Sequence, residues 1–402
     1  MRILFLTQVL PFPLNAGPKI RSYYVLRHLV QSHEMTLLSF VRPDDTSEAL
    51  QHLSQYCQKV YTYPMSRSPL RDVYHLTRSL ATRQPFIIAR DWVPKMAHLM
   101  RDVIDQDGPF DAIHADQLWM APYALWAQKL SSNGHHKVVL DQHNAVYMIP
   151  QRLSDGERNL AKIALLKLEA QKMARFETET CRQFDDVVWV TQEDFDSVQQ
   201  IASLPIPNSS VTPICSDPED TSVIVRKPDA RRVTFLGGLH YPPNAQGVCW
   251  FAEHTLPQIL REVPDAVFTV IGKQPPDLTK YKIPEKNLDI TGFVDDPVPY
   301  LQETAAFVVP LQAGGGMRVK ILDAWTWGMP MVSTSIGAEG IQIQDGENII
   351  IADTPAHFAQ SVIQLLKQPQ LQNDLAKQGR KWVEQQYNWR ITYKNWDTIY
   401  HS

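Results

Sequence analysis

The sequence predicts an α/β chain folded as doubly wound parallel sheets, and three observations predict it. The chain has 402 residues, enough for two domains. Its short apolar runs are continuous rather than alternating, the pattern of strands buried on both faces. Longer stretches with helical spacing separate most of these runs, which is how parallel strands with crossover helices are built.

Taken in order, Ile3–Thr7 reads as a strand, Lys19–Val30 as a helix and Met35–Phe40 as a strand. Further strands are predicted at Lys59–Tyr63, Ala112–Ala115, Lys137–Leu140 and Val187–Val190. The segment 203–230 is rich in Pro, Ser and Asp without an apolar period, so it reads as a connector between domains. The alternation then restarts with a strand at Val233–Leu236, a helix at Ala245–Leu260 and strands at Ala266–Ile271, Ala305–Pro310 and Met331–Thr334. The tail Trp389–Tyr400 reads as a helix with Trp389, Tyr393, Trp396 and Tyr400 on one stripe. That stripe packs either on the second half or back on the first.

Composition narrows the function classes. The 39 Lys and Arg against 43 Asp and Glu give a net charge of −4, which argues against a dedicated nucleic-acid binder. No run of about 18 apolar residues is present, so no membrane span is predicted. The apolar N-terminus, interrupted by Pro11 and Pro13, reads as a buried first strand rather than a signal peptide. Cys57, Cys181, Cys215 and Cys249 form no CxxC pair or zinc spacing, which points to a reducing, cytoplasmic setting.

Ligands of parallel sheets bind beyond the carboxyl ends of the strands, so polar residues there carry most weight. Gly17 lies in such a loop, after the first strand and ahead of a helix carrying Arg21, although neither a GxGxxG nor a Walker A pattern is present. His114 in DAIHAD and His143 in DQHN end two strands of the same half, flanked by Asp116, Asp141 and Asn144. Each is a candidate base or hydroxyl-binding group, or else a satisfied structural histidine. The strongest signal is the strand end Pro310 followed by Gly314-Gly315-Gly316 and a helix start with Arg318 and Lys320. Free N–H groups at a helix N-terminus and two cations suit a diphosphate, with Asp323 placed for ribose hydroxyls. Thr291-Gly292-Phe293 forms another post-strand turn able to read a base. Asp194-Phe195-Asp196 matches a metal-binding DxD, but acids two apart on a helix point in different directions, so no metal is predicted.

The segments FLGGLHYPPNAQGVCWF, ITGFVDDPVPYL and VVPLQAGGGMRVKILDAWTWGMP resemble the donor domain of glycosyltransferase family 4, group 1, of the GT-B fold. The triple glycine is similar to that of its exopolysaccharide and surface-glycan subgroup. The first half resembles the family more loosely. The resemblance implies two Rossmann-like domains across a cleft: an acceptor domain at 1–210, a nucleotide-sugar donor domain at 211–388, and a helix at 389–402 crossing back to the first. It also implies retaining transfer from a nucleotide sugar to a glycan or polyprenyl-linked acceptor, with neither metal nor cofactor. His143 matches the family's cleft histidine, with His114 in reserve. Gly17, Gly238, Phe293, Gly315, Gly316, Arg318, Lys320 and Asp323 fall at donor-binding positions. The chain has Gly315 where the family usually sets its first glutamate, Asp323 at the second, and no basic pair in GGLHYPPN. The alternatives are a nucleotide-sugar epimerase, disfavoured by the glycine at 315, and a non-catalytic nucleotide-sugar binder in glycan assembly.

One surface feature is also legible. Between Arg67 and Arg101 lie seven cations and only Asp72 and Asp91, interleaved with Leu70, Val73, Tyr74, Leu80, Phe86 and Trp92. This mixture predicts reversible, peripheral attachment to an anionic membrane surface.

Overall fold

The computed structural model describes residues 1–130 and 136–400. The chain divides into two compact units, one of Met1–Ile214 with Thr392–Ser402 and one of Cys215–Ile391.

Unit 1 is a seven-stranded parallel sheet. Its strands are β1 (Arg2–Thr7), β2 (Glu34–Val41), β3 (Lys59–Pro64), β4 (Ala112–Asp116), β5 (Lys137–Gln142), β6 (Asp186–Trp189) and β7 (Ser209–Val211). They lie in the order β3-β2-β1-β4-β5-β6-β7. The apolar runs become strands because both faces are covered: Ile3, Leu4, Phe5 and Leu6 are all fully buried. The helix Gly17–Leu29 follows β1 and carries Pro18 in its first turn, where the missing N–H costs nothing. β7 lies inside the stretch read as connector, because a three-residue edge strand of Ser and Val leaves no apolar period to recognise.

Unit 2 is a six-stranded parallel sheet of β8 (Arg232–Leu236), β9 (Val267–Ile271), β10 (Leu288–Gly292), β11 (Thr304–Val309), β12 (Met331–Ser333) and β13 (Ile350–Ile351). The order is β10-β9-β8-β11-β12-β13. The single helix expected over Ala245–Leu260 is instead the helix Pro242–Trp250, a π-helical turn at Phe251–Thr255 and the helix Leu256–Glu262. Pro257, in the first turn of the last piece, has no N–H to continue the ladder from the turn before it.

The tail also differs from one continuous helix. It forms two short helices, Trp389–Thr392 and Asn395–Tyr400. The residues from Thr392 onward belong to unit 1, where Tyr393, Trp396 and Tyr400 are buried. Tyr400 donates its hydroxyl to, or accepts from, His114 Nδ1 at 2.7 Å, and Asp397 meets His28 Nε2 at 2.8 Å.

In both sheets the strand order reverses beside the first strand, between β1 and β4 in unit 1 and between β8 and β11 in unit 2. Loops leaving neighbouring strands to opposite faces open a crevice there, at the carboxyl edge.

Candidate active site

In unit 1, β4 and β5 deliver Asp116, Asp141 and His143 to that crevice, and the helix after β1 brings Arg21 and Ser22 to meet them. Arg21 is fully buried and its guanidinium grips Asp141 through two nitrogens, Nη2 at 2.8 Å from Oδ1 and Nε at 3.0 Å from Oδ2. Its Nη1 donates to the carbonyls of Thr212 and Pro213 at 2.5 and 2.7 Å. The rings of Tyr393 and Trp396 lie 5.4 Å from its charge centre. Asp116 accepts from Ser22 Oγ at 2.8 Å and from His143 Nε2 at 2.9 Å, while Asp141 lies 3.7 Å from the same nitrogen.

His143 is set by these carboxylates. Burial works to lower its pKa, but Asp116 and then Asp141 outweigh it and raise the value to about 9. Burial works to raise the Asp141 pKa, but Arg21 and His143 hold it well below the usual carboxylate range. His143 is therefore an imidazolium at neutral pH, a donor rather than a base. Its Nδ1 is buried without a protein partner, as are Gln142 Oε1 and Asn144 Oδ1. Three successive side chains at the end of β5 each present an unpaired polar atom, and such atoms are costly unless a ligand or water meets them.

Of the two roles the sequence left open to it, His114 takes the structural one and not the reserve catalytic one. It is fully buried, its ring stacks on Phe5 at 4.2 Å, and burial lowers its pKa to about 4 against the pull of Asp141 and Asp116. It is a neutral core histidine under the tail, not a group that a substrate reaches. His114, Asp116 and Asp141 have potential ligand atoms within 4.8 Å of one another, yet Arg21 and His143 already match the two carboxylate charges. The DxD acids are also committed elsewhere. Asp194 meets Thr191, the N-cap of helix Gln192–Ile201, and accepts from Ala145 N at 2.8 Å, while Asp196 accepts from Gln192.

Sequence reasoning missed Glu177. This residue is fully buried on the helix Leu160–Cys181, and its carboxylate accepts from the Val146 and Tyr147 amides at 2.8 and 2.9 Å and from Gln142 Nε2. Burial pushes its pKa up to about 8 against those donors. With Asp194 it fastens the backbone just after His143, at Ala145, Val146 and Tyr147. The available signal was an acid on the core stripe of a helix, in step with Ala170, Met173 and Cys181.

In unit 2 the glycine loops after β8 and β11 lie where the strand order reverses, whereas Phe293 lies beyond the edge strand β10. Gly237 and Gly238 follow β8, Phe293 follows β10, and Gly314–Gly316 follow β11. Gly314 and Gly316 have φ of +125° and +78°, which L side chains adopt only with strain. A Cβ at Gly316 would meet nothing within 4 Å, so the loop faces open space there. Lys320, in the first turn of helix Val319–Thr326, lies over the Phe235 ring at 4.3 Å and donates to Asn244 Oδ1 at 2.8 Å. Its Nζ is only 2.9 Å from where a Cβ on Gly237 would stand, so the bare glycine and the ammonium share one spot. Burial, then Arg318, lowers the Lys320 pKa to about 7, and Asp323 opposes this. Burial raises the Asp323 pKa to about 7, opposed by Lys320.

Arg318 sits one residue before that helix rather than in its first turn. Its guanidinium donates to the carbonyls of Gly315 at 2.6 Å and Ile336 at 3.3 Å, and pairs with Glu339 at 3.3 Å. It braces the glycine loop from within, while Lys320 lies against Gly237 at the end of β8. Phe293 is 61% exposed with Lys273 Nζ 4.5 Å from its ring centre. Gly17 opens the helix that carries Arg21, in unit 1.

Residues 230–368 match the family described as glycosyl transferases group 1. A Klebsiella pneumoniae protein, described as an uncharacterized 44.6 kDa protein in a cps region, is 22% identical over 96% of each chain. A Corynebacterium glutamicum GDP-mannose-dependent monoacylated alpha-(1-6)-phosphatidylinositol monomannoside mannosyltransferase is 23% identical over 74% of this chain and 78% of its own. Among solved structures, Anabaena HepE in complex with UDP and glucose superimposes with a TM-score of 0.65 at 13% identity, covering 100% of both chains. Residues 230–368 thus carry the match to the group 1 glycosyltransferases, and the chain as a whole has the two-domain α/β fold of the GT-B structures it superimposes on.

Proposed function

We propose that the protein transfers a sugar from a nucleotide-sugar donor to a glycan or lipid-linked acceptor, with retention of anomeric configuration and without a metal. The observation that carries this reading is the coincidence of the family match with the unit 2 crevice. The matched residues 230–368 enclose Gly238, Phe293, Gly315, Gly316, Lys320 and Asp323. Backbone N–H groups of the glycine loop and the Lys320 ammonium would hold the diphosphate, and Asp323 the ribose hydroxyls. The His143 imidazolium, with Nδ1–H unpaired, would donate to a sugar hydroxyl or to charge developing in transfer. The metal-free reading is supported by the ion pairs already made by Asp116 and Asp141 and by the hydrogen bonds of Asp194 to Ala145 N and Thr191. The similarity to a protein in a cps region supports a place in surface-polysaccharide assembly.

The test is nucleotide release and transferred sugar, measured with UDP-sugars and GDP-mannose and with added chelator. Turnover that survives chelation, with the anomeric configuration kept, supports the proposal. Binding without release on any acceptor would instead support the non-catalytic reading. Peripheral attachment to anionic membranes remains part of the proposal. Leu70, Val73 and Leu80 on the helix Pro69–Ala81 are 83%, 60% and 53% exposed, a face turned to solvent rather than to the core. Among the described residues no helix is long and apolar enough to cross a membrane. Co-sedimentation with anionic but not neutral liposomes, lost at high salt, is the expected result.

A further inference from the structure

A second cavity lies in unit 1, beyond the carboxyl end of β3. Arg71, Tyr74, His75 and Arg78 fall at i, i+3, i+4 and i+7 of the helix Pro69–Ala81, which places them on one face. With Gln84 and Trp92 opposite, they wall a cavity of about 530 Å³. Among the described residues neither arginine has an acid or hydrogen-bond partner. His75, between them, has a buried Nδ1 with no partner. Burial, then Arg71 and Arg78, lowers the His75 pKa, with Asp72 and Asp91 opposing. Asp91 does not neutralise the two arginines, because its carboxylate is met by Arg90 at 2.9 Å, Arg67 at 3.2 Å and Gln8 Nε2 at 2.8 Å. Trp92 is fixed by stacking on Tyr123 at 4.5 Å.

We propose that this cavity is an acceptor subsite for a sugar that carries an anionic group, a uronate carboxylate or a sugar phosphate. The apolar face of a pyranose ring fits the flat faces of Trp92 and Tyr74. The unpaired guanidinium groups of Arg71 and Arg78 each present a planar fork matched to a carboxylate or phosphate, and His75 Nδ1 is left to meet a ring hydroxyl. The inference rests on the reading that the protein glycosylates a saccharide acceptor. It adds that the acceptor is acidic and names where its charge is held.

The experiment is calorimetric titration of the full chain with a glucuronate–glucose disaccharide, with glucose 1-phosphate, and with the neutral glucose disaccharide. At low salt the two anionic probes bind and the neutral one binds at least tenfold more weakly. Arg71→Gln and Arg78→Gln, both on the exposed helix, lose at least tenfold in affinity for the anionic probes and keep their helical circular dichroism. Equal affinity for charged and neutral disaccharides, or unchanged affinity in both variants, overturns the proposal. So does loss of pelleting with anionic vesicles in both variants while saccharide affinity stays unchanged, since the arginines would then serve a lipid surface. Titration of the same preparations with nucleotide sugars separates the two readings. Normal donor binding without a preference for acidic sugars overturns the subsite alone, whereas no donor binding overturns the proposed transfer and leaves the saccharide result to be read directly.

Discussion

Lys320, half-buried, and His143, buried, are two cations with opposite shifts. Lys320 touches a neutral amide and an aromatic face, and burial and then Arg318, opposed by Asp323, bring its pKa to about 7, leaving it near half-charged at pH 7. An arriving diphosphate would favour the charged form. Donor binding at pH 7.5–8 should therefore take up a proton, visible as a binding enthalpy that varies with the buffer, and affinity should fall as pH rises above about 7. Lys320→Met should weaken donor binding by about 1–3 kcal/mol and abolish the buffer dependence. His143 has two carboxylates, and its pKa is raised from 6.5 to about 9. Between these values the folded protein holds a proton that the unfolded chain has lost. The stabilisation is complete below pH 6.5 and lost as pH rises through 9, by roughly 3 kcal/mol at most. Thermal unfolding of the wild type and His143→Gln across pH 6–10 checks this, since the variant should lack that slope. Turnover of His143→Ala should fall by roughly 10²-fold with donor affinity kept.

Among the elements, the helix Leu160–Cys181 positions the loop after β5 through one buried carboxylate. Glu177→Ala would strand the amides of Val146 and Tyr147, at about 1–3 kcal/mol for each unpaired group. The expected outcome is a lower denaturation midpoint and a lower kcat with unchanged donor affinity, partly restored in Glu177→Gln. The legibility of the sequence is clearest at this scale. Continuous apolar runs such as Ile3–Thr7 and Ala305–Pro310 marked strands within one or two residues, because burial on both faces leaves an unambiguous pattern. β7 escaped because two of its three residues are serine, and the tail helix was read as unbroken because its aromatic stripe continues across the turn at Tyr393 and Lys394. Local spacing located the glycine loop and Lys320. It gave no hint that Arg318 turns inward to Gly315, that Asp116 pairs with His143, or that His114 lies under Tyr400, since these contacts join residues distant in the chain.

For the molecule as a whole, unit 1 is completed by the last residues of the chain. Tyr393 and Trp396 cover the Arg21–Asp141 pair, and Tyr400 covers His114. Ending the chain at Ile391 would expose a buried ion pair and remove three buried aromatic side chains, each worth about 3–5 kcal/mol when lost from a core. Calorimetry of this truncation should show unit 1 unfolding at a much lower temperature, while unit 2, whose residues are all retained, still binds the donor. In the proposed function, the unit 2 crevice, built on Gly314–Gly316 and Lys320, takes a nucleotide-sugar diphosphate. Its most direct test is titration of UDP-glucose and GDP-mannose into the wild type and into Lys320→Met. The wild type should bind at least one donor, and the variant should lose roughly 5- to 150-fold in affinity, the equivalent of about 1–3 kcal/mol. Equal donor affinity in both proteins would contradict it.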